Sequence, residues 1–405
     1  MKYPYAKHRL SHQDIILSVK ALKSGIISRG KFTRELEERL CEETGAKFCV
    51  AVSSGTAALH CAYLAIADEF SKKNEAFGVN ENSNPLQRIF NHSTKLISSP
   101  ITFASALTTG VLSGFSPEFC DVLSDEPQID TKLVQHRLEE LKAKGEQSII
   151  VPTTMTGQSY DQQELNRIAK SFDSPIIADH SHSLGAYISD ENDLLPMANT
   201  RYADVITLSF QTTKVITGGG EGGAILTDSE EIYRKLVAIR SHGMVYENLQ
   251  RENMGNHYHE MQLPGLNYRI TEMQAALCVS QLNRLGEIIE QRNVVASWYY
   301  ELLQNCEKIE LPKINDSIPA WHLFAVRLKE RNRVATELRK KGIGTQVHYL
   351  PVYKHPWFEQ HNLTPKENCS NAEAYYESAL SLPMYPHLRK KDVRFIAETL
   401  KNILK

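Results

Sequence analysis

Three short stretches of this chain gather residue types that do chemistry. The first is Thr207-Leu-Ser-Phe-Gln-Thr-Thr-Lys-Val-Ile-Thr-Gly-Gly-Gly-Glu-Gly-Gly223, which delivers Lys214 to a turn in which five of the six residues from Gly218 to Gly223 are glycine. A lysine becomes a nucleophile or a base only where burial or neighbouring charge lowers its pKa, and one that follows a strand is usually solvated. The glycines are not a Walker loop, because the lysine precedes them and Glu221 sits among them. The second stretch, Asp179-His-Ser-His182, sets a carboxylate and two imidazoles side by side. It reads as a polar turn, as a set of metal ligands, or as one half of a larger site. The third, Ser53-Ser-Gly-Thr-Ala-Ala58, combines hydroxyls and a glycine at the start of a helix. Free amides there suit an anion such as phosphate, and simple N-capping by Ser53, Ser54 or Thr56 is the plainer reading.

The elements that must hold these stretches are legible from apolar periodicity. Asp204 to Phe210 reads as a buried strand with Ile206, Leu208 and Phe210 on one face. Phe48 to Val52 is a strand feeding a helix that carries Leu59, Ala62, Tyr63 and Ile66 on one face. Further strands are expected at Lys95–Pro100, Glu118–Val122, Ser148–Pro152 and Pro175–Ala178. Helices lie between them, one carrying Val134, Leu138 and Leu141 and one over Gln162–Phe172. Such alternation is the pattern of an α/β domain with a mostly parallel sheet, whose ligands gather beyond the carboxyl ends of the strands. Thr56, Phe103, Gln158, Asp179 and Lys214 all follow strands on that edge.

Elsewhere, Ile15, Val19 and Leu22 mark a helix that Gly25 stops, and a second helix runs from about Phe32 to Gly45. From about 68 to 94 the composition turns to Asn, Ser, Lys and Glu, as in a surface insertion. A helix from Arg269 carries Ile270, Met273 and Leu277 along one stripe, and a polar helix from about Glu287 leads to a second domain. That domain is expected to hold strands at Trp321–Leu328 and Thr345–Tyr349, a helix ended by Gly342, and a last helix with Val393, Ile396, Leu400 and Ile403. The boundary falls at 1–285 and 286–405.

Bulk properties narrow the class. At 405 residues the chain exceeds the size at which a single core stops growing, so two domains are expected. A net charge of -2 argues against nucleic acid as a partner. No apolar run approaches a membrane span and the start lacks a signal-peptide core, so the expectation is a cytoplasmic protein. The seven cysteines are scattered and lack Cys-x-x-Cys spacing, which reads as reduced thiols, with no disulfide or zinc framework.

Taken together, Lys214, Asp179 and the Ser54–Ala57 turn make up the parts that pyridoxal phosphate requires. These are a lysine to form a Schiff base, a carboxylate to keep the pyridine nitrogen protonated, and donors for the phosphate. The ordered motifs agree. Ser-Gly-Ile-Ile-Ser-Arg-Gly30, Ala51-Val-Ser-Ser-Gly-Thr-Ala-Ala-Leu-His60, Ser99-Pro-Ile-Thr-Phe103, Gly157-Gln158, Asp179 with His182 and Gly185-Ala186, Ser209-Phe210 with Lys214, Gly220-Glu-Gly-Gly223, Gly265-Leu-Asn-Tyr-Arg269 with Gln274-Ala-Ala, and Gly342-Ile-Gly-Thr-Gln-Val-His348 follow in sequence. In this set the chain resembles the DegT/StrS nucleotide-sugar aminotransferases over nearly its whole length apart from the insertion. Within them it is most similar to the C-4 aminotransferases of UDP-linked 4-keto-6-deoxy sugars in the pseudaminic acid pathway.

The resemblance implies a fold-type I pyridoxal phosphate transferase: a large domain with a mostly parallel mixed sheet flanked by helices, and a smaller C-terminal α+β domain. It implies transfer of an amino group from glutamate to the C-4 ketone of a UDP-linked 4-keto-6-deoxy-N-acetylhexosamine, in making a bacterial surface amino sugar. Lys214 would bond the cofactor and act as general base, Asp179 would face the pyridinium, and His182 would buttress that region. Phe103 would lie on the ring, Gln158 would contact the phenolic oxygen, and Thr56, Ala57 and Ser209 would hold the phosphate. Asn267 would join them from the other subunit of a homodimer with a shared site. No metal is implied.

The chain departs from the family pattern at His180, at Lys31 after Gly30, before Gln158 and in the insertion. These positions bear on the identity of the sugar, and the alternative within the family is another nucleotide-linked keto sugar, with a C-3 ketone or a dTDP or GDP carrier. A sugar dehydratase on the same scaffold would carry histidine in place of Lys214. A non-catalytic regulator would lack Lys214 or Asp179, and a metal hydrolase would rest on Asp179, His180 and His182.

Overall fold

A computed structural model describes residues 1–75, 94–190, 193–245, 260–314 and 317–405. Strands β1 (Phe48–Val52), β2 (Lys95–Ser98), β3 (Ser116–Phe119), β4 (Ser148–Val151), β5 (Ile177–Asp179), β6 (Tyr187–Asp190), β7 (Asp193–Pro196), β8 (Val205–Ser209) and β9 (Gly223–Thr227) belong to the first two thirds of the chain. Two ladders, β3-β2-β4 and β5-β8-β9-β1, are joined where Ile150 bridges Ile176 and Thr153 bridges Asp179 in parallel. The result is one mixed sheet in which β9 alone runs antiparallel to its neighbours.

Side-chain alternation sorts the sheet residues onto two cores. Val50, Val52, Leu96, Ile149, Ile177, Val205 and Ile225 face one. Cys49, Ala51, Ile97, Ile150, Ala178, Ile206, Leu208, Phe210 and Leu226 face the other. This is the period-2 pattern of a sheet covered by helices on both sides. Helices α1 (His12–Lys23), α2 (Lys31–Thr44) and α3 (Gly55–Glu75) supply part of that cover. Gly45, at φ 76°, ends α2 in the left-handed conformation that favours glycine.

A third core gathers Val295, Tyr299, Leu303, Trp321, Phe324, Val326, Leu380, Val393, Ile396 and Leu400, together with Tyr3. After the short pairs β10 (Met244–Val245) with β11 (Glu260–Met261) and β12 (Ser317–Ile318) with β6, this core is built on β13 (Phe324–Arg327) paired with β14 (Ala379–Leu382). The amino-terminal segment is tied to the same region. Lys2 and Tyr3 donate backbone N–H bonds to the Gly342 carbonyl, Gly344 donates to Tyr3, and Met384 donates to Tyr5. Residues Val352, Phe358, Ala372 and Tyr375 return to pack on the sheet core.

Several expectations need correction. Thr345–Tyr349 is not a strand; it makes a single bridge, Gln346 to Ser381, because the edge of the β13–β14 pair takes no longer partner there. In the helix Glu272–Leu282, Met273 is exposed and the buried face is Ala275, Ala276, Cys278, Val279 and Leu282, since the helix packs against both α1 and α2. The stripe Ile15, Val19 and Leu22 of α1 is exposed as well. Of the proposed insertion, residues 68–75 continue α3, and 76–93 lie outside the described residues. No helix among the described residues is long and apolar enough to cross a membrane.

Candidate active site

The carboxyl ends of β1, β2, β5 and β8 converge on a cavity of about 580 Å³ whose walls include Thr56, Phe103, Asp179, His182, Ser209 and Lys214. Each position follows from its element. β1 runs into α3 through Ser54, whose Oγ accepts the Ala57 N–H at 3.0 Å. That bond is the N-cap foreseen in the sequence, and it leaves Thr56 on the cavity wall with Ala57 behind it. β8 hands over to a tight turn in which the Lys214 N–H donates to the Gln211 carbonyl at 2.9 Å, aiming the lysine back over the sheet edge. Gly223 starts β9 so close to that helix start that a Cβ would lie 2.5 Å from the Ser54 carbonyl oxygen. Gly218 is likewise closed to a side chain, by the Glu221 carbonyl oxygen at 2.3 Å. Gly218 thus lets the loop close on itself, and Gly223 lets β9 pack on the start of α3.

Electrostatics single out Lys214. Burial lowers its pKa from 10.5 to about 8, opposed by the nearby carboxylates of Asp179 and Glu221. The accessible surface it keeps lies on the cavity. Asp179 is buried, and its Oδ1 accepts from the Ser181 N–H at 3.0 Å and the Ser181 hydroxyl at 2.5 Å. Its Oδ2 has no protein donor among the described residues, so a carboxylate oxygen stands ready for a cationic partner in the cavity. Phe103, 55% exposed, touches Tyr349 edge-on at 5.7 Å and leaves a ring face for a planar ligand.

Three histidines complete the wall: His182, His322 and His348. The rings of His182 and His322 lie 4.2 Å apart, each with an Nδ1 that has no partner among the described residues. His348 Nδ1 pairs with the Ser381 hydroxyl at 2.8 Å. Burial pushes all three pKa values down, with the positive charge of Lys214 adding to the effect. They are therefore neutral at physiological pH and add hydrogen-bonding capacity without charge.

Gln158 is a correction. The turn Met155–Gly157, with Thr156 at φ 64° and Gly157 at φ 93°, carries it out of the main cavity. It lines a separate cavity of about 20 Å³ with Gln128, Thr156 and Tyr375, and its Oε1 is unpartnered among the described residues. In the cavity it is His182 that stands three residues beyond Asp179. Asn267 is exposed, bridges Ser241 and lies outside this chain's own cavity. His180 also points elsewhere: Nδ1 meets the Ser183 hydroxyl at 3.1 Å and the ring packs edge-on to Tyr160. Asp179, His180 and His182 thus do not converge as ligands. Among the described residues the carboxylate and imidazole atoms that do cluster are those of His136, Glu140 and Glu367; Arg137 pairs with both glutamates, and His136 Nε2 lies 3.4 Å from Glu140.

Sequence reasoning assigned no role to Tyr5, Ser181, His322, Gln346 or Tyr349, yet all line the cavity. His348 ends a recognised motif, Gly342–His348, which was the available signal. Tyr5 and His322 offered none, because the contacts that bring them in lie far away in sequence.

Comparison with known proteins bears on the family and the fold. Residues 10–401 match the DegT/DnrJ/EryC1/StrS aminotransferase family. The chain is 30% identical over 406 residues to the Campylobacter jejuni UDP-4-amino-4,6-dideoxy-N-acetyl-beta-L-altrosamine transaminase, covering 99% of this chain and 97% of that protein. It is 29% identical to the Bacillus subtilis spore coat polysaccharide biosynthesis protein SpsC, with 99% and 97% covered. Among solved structures, Helicobacter pylori PseC, an aminotransferase involved in the biosynthesis of pseudoaminic acid, superposes with a TM-score of 0.84 at 25% identity, over 100% of this chain and 99% of that one.

Proposed function

From its membership of the DegT/DnrJ/EryC1/StrS aminotransferase family, whose sugar aminotransferases depend on pyridoxal phosphate, we propose that this chain moves an amino group from glutamate to the C-4 ketone of a UDP-linked 4-keto-6-deoxy-N-acetylhexosamine. The observation that carries the proposal is Lys214, with its pKa lowered to about 8, in one cavity with the open Oδ2 of Asp179. The choice of sugar is supported by the whole-length likeness to the C. jejuni transaminase. In this reading the enzyme is cytoplasmic and serves the making of a surface amino sugar.

The residues present fit the cofactor. Gly55, Thr56, Ser209 and Thr213, all in the cavity wall, offer small side chains and hydroxyls, as a phosphate needs. Asp179 and Phe103 stand where a pyridinium would find a counter-charge and a stacking face. When bound, the cofactor supplies the carbonyl carbon that holds the amino group and a ring that accepts electron density. The protein supplies the rest. Lys214 Nζ is neutral often enough near pH 7–8 to take a proton from the donor's Cα and later return one to the sugar. Asp179 would set a negative charge beside the ring nitrogen and keep that nitrogen protonated, which favours loss of the Cα proton. His182, His322 and His348, being neutral, orient substrate by hydrogen bonds without competing with Lys214 for protons.

A homodimer is part of the proposal. Ile15, Ile16, Val19 and Leu22 of α1, with Ile26 and Ile27 just after it at 60% and 61% exposure, are large apolar side chains left in water that a second copy would cover. A second copy on that face would bring Asn267 toward the cavity of its neighbour.

An absorbance spectrum tests the reading. The loaded protein should show a band near the visible that bleaches with glutamate and returns with the UDP-4-keto sugar, while Lys214→Ala gives neither change. Recovery only with a 3-keto sugar or a dTDP or GDP carrier would move the chain to another branch of the family.

A further inference from the structure

The backbone around Asp179 is clamped in the sheet. Its N–H donates to the Pro152 carbonyl at 2.9 Å, its carbonyl accepts from the Thr154 N–H at 3.1 Å, and the N–H of His180 donates to the Thr207 carbonyl at 2.9 Å. Held in this way, Asp179 keeps only its side-chain torsions free. Ser181 fixes those: its N–H at 3.0 Å and its hydroxyl at 2.5 Å both donate to Oδ1. Asp179 is 4% exposed, while Ser181 is half-buried and stands with it in the cavity wall.

The two bonds differ in origin. The turn delivers the N–H whatever side chain stands at position 181, whereas the hydroxyl belongs to serine. Both are spent on Oδ1, so Oδ2 is the oxygen left for a ligand. A buried carboxylate with one oxygen satisfied and the other open is costly until a cationic donor reaches the open one. A carboxylate free to swing would lose the alignment on which such a charge-assisted bond depends. His180, the residue between the two, cannot take over this task, because its Nδ1 is engaged with the Ser183 hydroxyl and its ring lies edge-on to Tyr160.

We propose that Ser181 is a positioning residue, whose hydroxyl pins the Asp179 carboxylate so that Oδ2 meets the protonated ring nitrogen of the cofactor. The inference rests on the pyridoxal phosphate reading given above and does not depend on which sugar is the substrate. Ser181→Ala keeps the N–H bond and loses the hydroxyl bond, so the carboxylate is held by one donor instead of two. Ser181→Thr retains the hydroxyl, and the cavity of about 580 Å³ that Ser181 lines has room for the added methyl.

The test loads the parent, Ser181→Ala, Ser181→Thr and Asp179→Asn with pyridoxal phosphate isotope-labelled at the ring nitrogen. Nuclear magnetic resonance reads that nitrogen before glutamate is added, and absorbance follows the bleaching afterwards. In the parent the nitrogen should resonate in the protonated range. Ser181→Ala should move it toward the unprotonated range, in the direction of Asp179→Asn but less far. It should also slow bleaching at saturating glutamate roughly tenfold, about the weight of one hydrogen bond to a charged group, with the half-saturating glutamate concentration unchanged. Ser181→Thr should restore both, and circular dichroism should match across the set. A merely structural role would alter the fold or the glutamate requirement and leave the ring signal at the parent's position. Ser181→Ala that equals the parent in ring signal and rate, or Ser181→Thr that equals Ser181→Ala, overturns the role of Ser181 and leaves the cofactor reading standing. A parent that takes up no cofactor, or a ring signal that Asp179→Asn does not move, overturns that reading and this inference with it.

Discussion

Replacing Lys214 by methionine is expected to make the cofactor-free protein more stable, not less. The side chains are similar in length, so the change removes a charge more than it removes packing. Burial holds the Lys214 pKa at about 8, against 10.5 for an exposed lysine. The folded state therefore disfavours the protonated form, and the sign follows: the unfolded chain binds the extra proton, so the parent's stability rises as pH climbs from 8 to 10.5 and is lowest below 8. The withheld stability amounts to about 3 kcal/mol at pH 7, about 2 at pH 9 and about 1 at pH 10. Lys214→Met should recover most of it, with a margin over the parent that shrinks along the same series. Urea denaturation of the stripped proteins at the three pH values gives the comparison directly. A variant no more stable than the parent at pH 7, or a margin that does not shrink with pH, would refute the claim that Lys214 is held away from its charged form.

Other consequences are open to test. Glu272 is buried and accepts from the backbone N–H groups of Gly30, Phe32 and Thr33 at 2.7–3.0 Å and from the Thr33 hydroxyl, capping a helix start that has no side-chain cap of its own. Glu272→Gln should cost about 2–4 kcal/mol in denaturant titrations, and a loss under about 1 kcal/mol would mean the α2 amides find other acceptors. Ile16→Glu with Val19→Glu should yield monomers by sedimentation and remove transaminase activity with them; an active monomer would count against a shared site. Asp179→Asn should keep the fold and lower the glutamate-dependent bleaching rate by roughly 10²-fold or more, and an unchanged rate would remove its role beside the pyridine ring. Gly223→Ala should lower the melting temperature, since the new methyl meets the Ser54 carbonyl at 2.5 Å; a neutral result would show that the β9–α3 contact yields easily.

What the sequence could say depended on how local the cause was. β1 with α3, β8 with Lys214, and β5 with Asp179 are fixed by alternating apolar residues and the turn that follows, and all are placed as read. The hairpin β6–β7 escaped notice because Tyr187–Asp190 and Asp193–Pro196 are short and half polar. Gln158 misled because following a strand end was taken to mean facing the ligand, whereas two positive-φ residues just before it redirect the chain. Met273 and the α1 stripe have helical periodicity, but a single chain does not bury them. Tyr5 and His322 enter the cavity through pairings hundreds of residues apart in one case and through the third core in the other, and no window of sequence contains those partners.

The backbone bonds of Lys2, Tyr3 and Tyr5 to Gly342, Gly344 and Met384 also bear on how the chain is made. Synthesis at ~5–20 residues per second places tens of seconds between the emergence of Tyr3 and that of its partners. During that interval the segment that will supply Tyr5 and His8 has nothing to pair with, while the sheet that carries Asp179 and Lys214 can already form. The cavity should therefore gain its last wall only near the end of translation. In ribosome-bound nascent chains, residues 2–9 should remain open to proteases until the β14 region has left the exit tunnel.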